Sequence, residues 1–329
     1  MPTLTPSQAE ALVVTVLTRA NTNEDNARSV ARALVQAEAD GLKGHGLSRV
    51  PMYARQAKAG KVDGNATPTL TKKKPALVVI DAANGFAYPA IELTETALPG
   101  MARSQGIAAA SIHRSHHCGA AGHPVERLAD AGLVAIMFVN TPSAIAPWGG
   151  SKAVFGTNPI AFACPLAGRA PLVIDLSLSK VARGNIMTAK QRGEKIPKGW
   201  ALDAEGKPTT DPDAALAGTM VPMGDAKGTA LALMVELLAA GLTGANFAAE
   251  ASSYLDDKGP PPGTGQLIVA FHPDAFISDA VARFGVLAQS IGAQQGARLP
   301  GMRRLAAREK AQAEGLAISD ALMKEIEAI

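Results

Sequence analysis

Ile107-Ala108-Ala109-Ala110-Ser111-Ile112, running into His113-Arg114-Ser115-His116-His117-Cys118-Gly119, is the stretch on which the fold turns. Its first half is an apolar run of strand length. Its second half turns polar and ends in glycine, as a strand does where it leaves a sheet. Similar apolar runs lie at 76–81, 133–139, 160–164, 172–174 and 267–271, most of them with β-branched residues. Helical stretches at 87–104 and 124–131 separate the early ones. Strands alternating with helices argue for an α/β sheet covered by helices on both faces.

Outward from this centre, both ends of the chain read as helix. Thr5-Pro6-Ser7-Gln8 carries a hydroxyl cap, a proline at the first helical position and a glutamine placed to close a capping box. Leu12, Val13, Val16 and Leu17 then form a helical stripe. A second helix from Asn23 carries Ala27, Val30, Ala31, Leu34 and Val35 inward and stops near Gly41. Gly44-His45-Gly46-Leu47-Ser48-Arg49 is too glycine-rich for a helix interior and is read as a loop. Residues 199–215 read as an irregular excursion, and Gly259-Pro260-Pro261-Pro262-Gly263 as a mobile surface loop. The last fifty residues return to helix around a basic interruption at 298–304. The expected organisation is a helical segment, 1–74, packed with 280–329, and an α/β cofactor- and substrate-binding domain, 75–279.

Composition narrows the function classes. The 329 residues are 47% hydrophobic and 19% charged, the balance of a folded globular protein. A formal net charge of +3, with Lys72-Lys73-Lys74 as the longest basic run, argues for a solvated loop there and against a nucleic-acid partner. Cys118 and Cys164 show no metal-ligand spacing and suit a reducing compartment. No secretory signal and no membrane span are read, so the expected location is cytoplasmic.

Three clusters could carry chemistry. Four of six histidines fall within eleven residues: His113, His116, His117 and His123. Strand ends in open α/β sheets are ligand sites, and imidazole can pass a proton near neutrality. Structural histidines are the bland alternative and zinc the sharper one, although no cysteine or carboxylate stands at ligand spacing. No metal is therefore assigned. The second cluster is His45 with Arg49, whose planar fork matches a carboxylate. The third is Gly224-Asp225-Ala226-Lys227-Gly228 before the apolar run 229–242, a helix start able to attract phosphate or else an ordinary core helix. Glu236, inside that run, must be paired or at the surface. No Gly-x-Gly-x-x-Gly follows any strand, so the usual dinucleotide fingerprint is absent.

Together these segments resemble the malate/L-lactate dehydrogenase family, which is distinct from the Rossmann-fold lactate and malate dehydrogenases. The matching stretches are Gly44–Arg49, Ser115–Gly119, Phe155-Gly156-Thr157-Asn158-Pro159-Ile160-Ala161-Phe162, Asp175-Leu176-Ser177-Leu178-Ser179, Lys227-Gly228 and Pro300-Gly301-Met302-Arg303-Arg304. Paired His116-His117 and Thr264-Gly265-Gln266-Leu267-Ile268 are most similar to the Δ1-piperideine-2-carboxylate/Δ1-pyrroline-2-carboxylate reductases of that family.

The resemblance implies a non-Rossmann NAD(P)-binding α/β fold with a mixed central sheet, and a homodimer. It implies reduction of cyclic imine 2-carboxylates to L-proline or L-pipecolate; a 2-hydroxyacid dehydrogenase of the malate, sulfolactate or ureidoglycolate type is the alternative. By the same resemblance His45, His117 and Arg49 are catalytic, with Arg49, His116 and Thr157 at the substrate. His117, Gly119, Asp175, Leu176, Ser177, Lys227, Gly228, Arg303 and Arg304 line the cofactor, NADPH or else NADH. Gly44 replaces a serine of many relatives and Asn185 an aspartate of the reductases, so a serine–histidine–aspartate relay does not carry over intact.

Overall fold

The computed structural model describes residues 2–329. A seven-stranded sheet organises the chain: β1 (Thr69–Lys74), β2 (Leu77–Asp81), β3 (Ile107–Ser115), β4 (Val134–Val139), β5 (Ile160–Leu166), β6 (Arg169–Leu176) and β7 (Thr264–Phe271). Their spatial order is β1-β2-β3-β7-β4-β5-β6, and only β2 and β3 run parallel. The mixed sheet is thus not the parallel doubly wound arrangement of dinucleotide folds. β7, entering from late in the chain, sits at its centre.

Alternation along the strands gives the sheet two apolar faces. Val78, Ile80, Ile112, Met137, Ala161 and Ile268 meet α4 (Ala87–Gln105) and α5 (Gly122–Asp130) in one buried core. On the other face Phe138 and Ile160 meet Ala232, Val235 and Ala239 of the helix over 226–241. Small alanines on the strands let helices lie close, which suits the dense packing of protein interiors.

The N-terminal helices α1 (Pro6–Arg19), α2 (Glu24–Ala39) and α3 (Val50–Lys58) build a separate core. Thr5 and Gln8 form the capping box read from the sequence. Later in the chain come α6 (Arg183–Arg192), α7 (Pro212–Ala217), α8 (Ala226–Glu236), α9 (Ala280–Gly292), α10 (Met302–Glu314) and α11 (Asp320–Glu327). Ala311, Leu316, Ile318 and Ile326 join the N-terminal core, and Thr3–Leu4 pairs with Leu316–Ala317. The stretch 280–329 is split, because Ala288 of α9 packs with Leu166 and Leu299 instead.

Three local readings are corrected. Lys72-Lys73-Lys74 is no loop but part of the exposed edge strand β1, where lysines discourage pairing with another chain. The glycine-rich segment after α2 forms two 3-10 turns, Lys43–His45 and Leu47–Arg49, which lead directly into α3. Pro51 fits there because the first turn of a helix leaves its N–H groups unpaired anyway. Residues 199–215 hold order as well: Ala201–Leu202, Pro208–Thr209 and Thr219–Met220 make a small antiparallel sheet beside α7.

Candidate active site

The sheet register gathers the singled-out segments at one end. Ser115 closes β3 opposite Thr264, which opens β7; Gln266 of β7 stands opposite Val139, which closes β4. Ile160 opens β5 opposite Leu176 of β6. The loops carrying His116–Gly119, Asn140–Thr141, Thr157–Asn158 and Ser177–Ser179 therefore share that edge, at the ends of neighbouring strands.

His117 is buried and its ring stacks on His45, with centroids 5.3 Å apart and planes 11° apart. The pairing depends on Gly46. A Cβ at this position would lie 2.3 Å from Glu38 Oε2 and 3.0 Å from its Cα, so no other residue lets the turn approach α2 this closely. Glu38 Oε2 in turn accepts from the Leu47 N–H at 3.0 Å. Arg49, one turn on, donates from Nε to the Gly44 carbonyl at 2.7 Å. Among the described residues no carboxylate pairs with its guanidinium.

Tyrosine is the element the sequence reading missed. The chain has three tyrosines, and all three converge here. Tyr53 of α3 bonds His117 Nδ1 at 2.5 Å and the Tyr88 hydroxyl at 3.1 Å. Tyr254 lies 5.2 Å from the His117 ring and 5.4 Å from that of His116, its hydroxyl 2.6 Å from Thr264 Oγ1. His116 is enclosed by Tyr53, Phe86 and Tyr254, with neither ring nitrogen bonded. In a chain with 4% aromatic residues, the scarcity of tyrosine was the available signal.

The electrostatics follow from this enclosure. Burial, reinforced by the Arg49 charge, lowers His45 to about 4. Burial with the charges of Lys61 and Arg49 lowers His116 to about 3. Burial and Arg49 hold His117 well below its ordinary value. At neutral pH the site is three uncharged imidazoles beside one unpaired cation.

The other two members of the histidine cluster point elsewhere. His113 remains on β3, at the register position opposite Asp81. His123 bonds Asp40 at 3.0 Å, inside a buried ion network where Arg304 and Arg308 each bond both Asp40 and Glu126. Arg304 is thus engaged with carboxylates, its side chain 11% exposed, whereas Arg303 is exposed and makes no ion pair among the described residues.

The phosphate-candidate segments do converge. Met223 N–H donates to the Leu178 carbonyl, joining the approach to α8 to the Ser177–Ser179 turn. Gly228 lies against the Met223 carbonyl, 1.8 Å from where a Cβ would stand, and Lys227 is exposed. Asp175 accepts from the Gly122 N–H at 2.8 Å and so caps α5 directly after the histidine loop. Gly119, at positive φ, lies against the Tyr88 hydroxyl. Thr157 stands next to Thr141, its N–H donating to Thr141 Oγ1 at 2.9 Å. Glu236 is paired, accepting from Asn158 Nδ2 at 2.7 Å and Ala248 N–H at 2.6 Å. It thereby anchors the Thr157–Asn158 turn to α8. Leu176 and Asn185 are exposed.

A cationic fork amid neutral imidazoles, at the loop end of a mixed sheet, is a site for a small organic anion that exchanges a proton. Residues 4–327 match the model of the malate/L-lactate dehydrogenases, and the chain belongs to that family. It is 52% identical to (2R)-3-sulfolactate dehydrogenase (NADP(+)) of Chromohalobacter salexigens, over 98% of this chain and 96% of that one. It is 41% identical to the Δ1-pyrroline-2-carboxylate/Δ1-piperideine-2-carboxylate reductase of Pseudomonas putida, over 95% and 93% respectively. The crystal structure of Δ1-piperideine-2-carboxylate reductase from Pseudomonas syringae superimposes with a TM-score of 0.94 at 37% identity, covering 100% of this chain and 99% of that one.

Proposed function

We propose that this chain is a cytoplasmic, NADPH-dependent reductase of cyclic imine 2-carboxylates, taking Δ1-pyrroline-2-carboxylate and Δ1-piperideine-2-carboxylate to L-proline and L-pipecolate. The observation that carries this reading is the unpaired Arg49 guanidinium beside His45, His116 and His117. Arg49 is half-buried and no carboxylate of the described residues neutralises it, so its planar fork is free to take a substrate carboxylate with two parallel hydrogen bonds. That carboxylate also offsets the charge that depresses the histidines, favouring a proton on the substrate nitrogen or on the imidazole facing it. Thr157 stands on the same sheet edge, where it can limit the ring's position.

For the cofactor, the residues present fit a dinucleotide phosphate. The start of α8, with Lys227 and Gly228, is joined to the Ser177–Ser179 turn, and exposed Arg303 is available to a 2′-phosphate. When bound, the reduced nicotinamide supplies the hydride. The NADP(+) named for the 52% relative agrees with this choice. Asp175 and Gly119 hold the histidine loop on the cofactor side through α5 and Tyr88.

A homodimer is also proposed. The outer face of the helix over 226–241 leaves Leu231, Met234 and Leu237 exposed, although most of its residues are apolar. A second copy of the chain would cover them, and sedimentation at several concentrations tests this.

A second reading is a sulfolactate-type 2-hydroxyacid dehydrogenase, favoured by the 52% relative. A substrate panel separates the two. Purified protein consumes NADPH with Δ1-pyrroline-2-carboxylate under the first reading. Turnover of 3-sulfopyruvate with none of the imine overturns it in favour of the second.

A further inference from the structure

We propose that Tyr53 and Tyr88 form a proton relay that resupplies His117 during turnover. The proposal rests on the reductase reading above. Either of its two substrate classes takes up one proton for each hydride, and His117 is only 7% exposed. With substrate in place on one side, the imidazole needs another way to recover a proton. Neither a serine before His45 nor an aspartate at 185 is present to provide it.

The geometry offers one route. Tyr53 Oη lies 2.5 Å from His117 Nδ1 and 3.1 Å from Tyr88 Oη. Tyr88 in turn lines a cavity of about 310 Å³ between α2, α4 and α5. Cys118, Glu92 and Arg127 also line it, and none of His45, His116 or His117 reaches that cavity. Its rim carries Arg32 and Glu92, with side chains 54% and 42% exposed, so it opens to water. The Tyr88 hydroxyl is held by a close contact: a Cβ on Gly119 would stand 2.7 Å from it.

The relay needs no charged intermediate. His117 gives its Nε2 proton to the substrate nitrogen or oxygen. Nδ1 takes the Tyr53 hydroxyl proton, Tyr53 takes that of Tyr88, and Tyr88 takes one from the cavity. Each phenol ends with one proton, as it began; the imidazole has changed tautomer; one solvent proton has been consumed. Once product leaves, Nε2 takes a proton from the water that enters and Nδ1 returns its own through Tyr53 and Tyr88 to the cavity, which restores the starting tautomer. Burial raises both phenols, Tyr53 to about 12, which suits hydroxyls that pass protons without ionising.

Two measurements test the relay, one independent of turnover. Nitrogen NMR of the full chain at neutral pH is expected to show His117 uncharged, protonated at Nε2, with Nδ1 an acceptor that loses its hydrogen bond in Tyr53→Phe. A charged His117, or a proton on Nδ1, overturns the proposal. Tyr88→Phe leaves His117 untouched and is expected to lower kcat about tenfold or more with KM unchanged. The wild-type rate in mixed light and heavy water should curve, with several protons moving together, and the variant's should be linear. A kcat within about twofold of wild type, or a linear wild-type profile, overturns the relay. A wild-type enzyme inactive on every 2-imino and 2-oxo acid sinks the functional reading instead, while the nitrogen spectra still judge the relay.

Discussion

Asp40→Asn perturbs the centre that joins three parts of the chain. Asp40 ends α2, His123 opens α5, and Arg304 and Arg308 lie on α10. The carboxylate is 3% exposed and accepts from Arg308 Nε at 2.7 Å, Arg308 Nη2 at 2.8 Å, Arg304 Nη1 at 3.1 Å and His123 at 3.0 Å. A carboxylate at a helix C-terminus opposes the helix dipole, so its place there depends on those guanidinium groups. Replacing it with an amide leaves two largely buried cations against Glu126 alone. Removing one partner from a buried ion pair costs about 3–5 kcal/mol. With about 2.1 cal/mol/K of unfolding entropy per residue, 4 kcal/mol lowers the melting temperature of a chain this size by roughly 6 °C.

Calorimetry as a function of pH makes the prediction specific. Burial opposes ionisation of Asp40, but hydrogen bonds and charge from His123 and Arg308 outweigh it and hold the carboxyl well below the usual range. A depressed carboxyl contributes stability that is fully present above its unfolded pKa and is lost as pH falls toward its folded one. The gap between wild type and Asp40→Asn should therefore be constant from pH 7 to 5 and narrow by about 1 kcal/mol by pH 3. A variant melting within a degree of wild type, or a gap that does not change with acid, would refute the reasoning.

The remaining predictions concern the site and its supports. Arg303→Met should raise KM for NADPH and leave the melting temperature alone, whereas Arg304→Met should lower the melting temperature and leave that KM alone; steady-state kinetics and thermal melts decide. Gly44→Ser should fold normally, because a Cβ there meets nothing within 4 Å, and should change the pH profile of kcat by placing a hydroxyl beside His45. Glu236→Gln turns an amide NH2 toward partners that all donate, Asn158, Asn140 and the Ala248 N–H, and should cost about 1–3 kcal/mol in denaturant titration.

Much of the sheet was legible because buried strands need continuous apolar runs, and 133–139 or 267–271 have no other reading. The strand ends were not. His113, Arg114 and Ser115 are polar yet extend β3, because Asp81 and Thr264 stand beside them in the register. The glycine-flanked His45 and Arg49 were visible as a pair, and their meeting with His117 was inferred through resemblance. What no local pattern carried was the company they keep: Tyr53 and Tyr88 come from separate helices, and Asp40 and Glu126 claim Arg304 across 264 and 178 residues. Arg303 and Arg304 look alike as neighbours, and only packing separates a buried ion-pair member from an exposed cation.

The central claim is that hydride reaches the carbon beside the carboxylate Arg49 holds. The direct measurement supplies NADPH deuterated at its transferable position with Δ1-pyrroline-2-carboxylate and examines the product by mass and NMR. The account predicts L-proline with one deuterium on C2, and in Arg49→Met a KM about 30- to 100-fold higher. Unconsumed cofactor, or proline with no deuterium at C2, would contradict it.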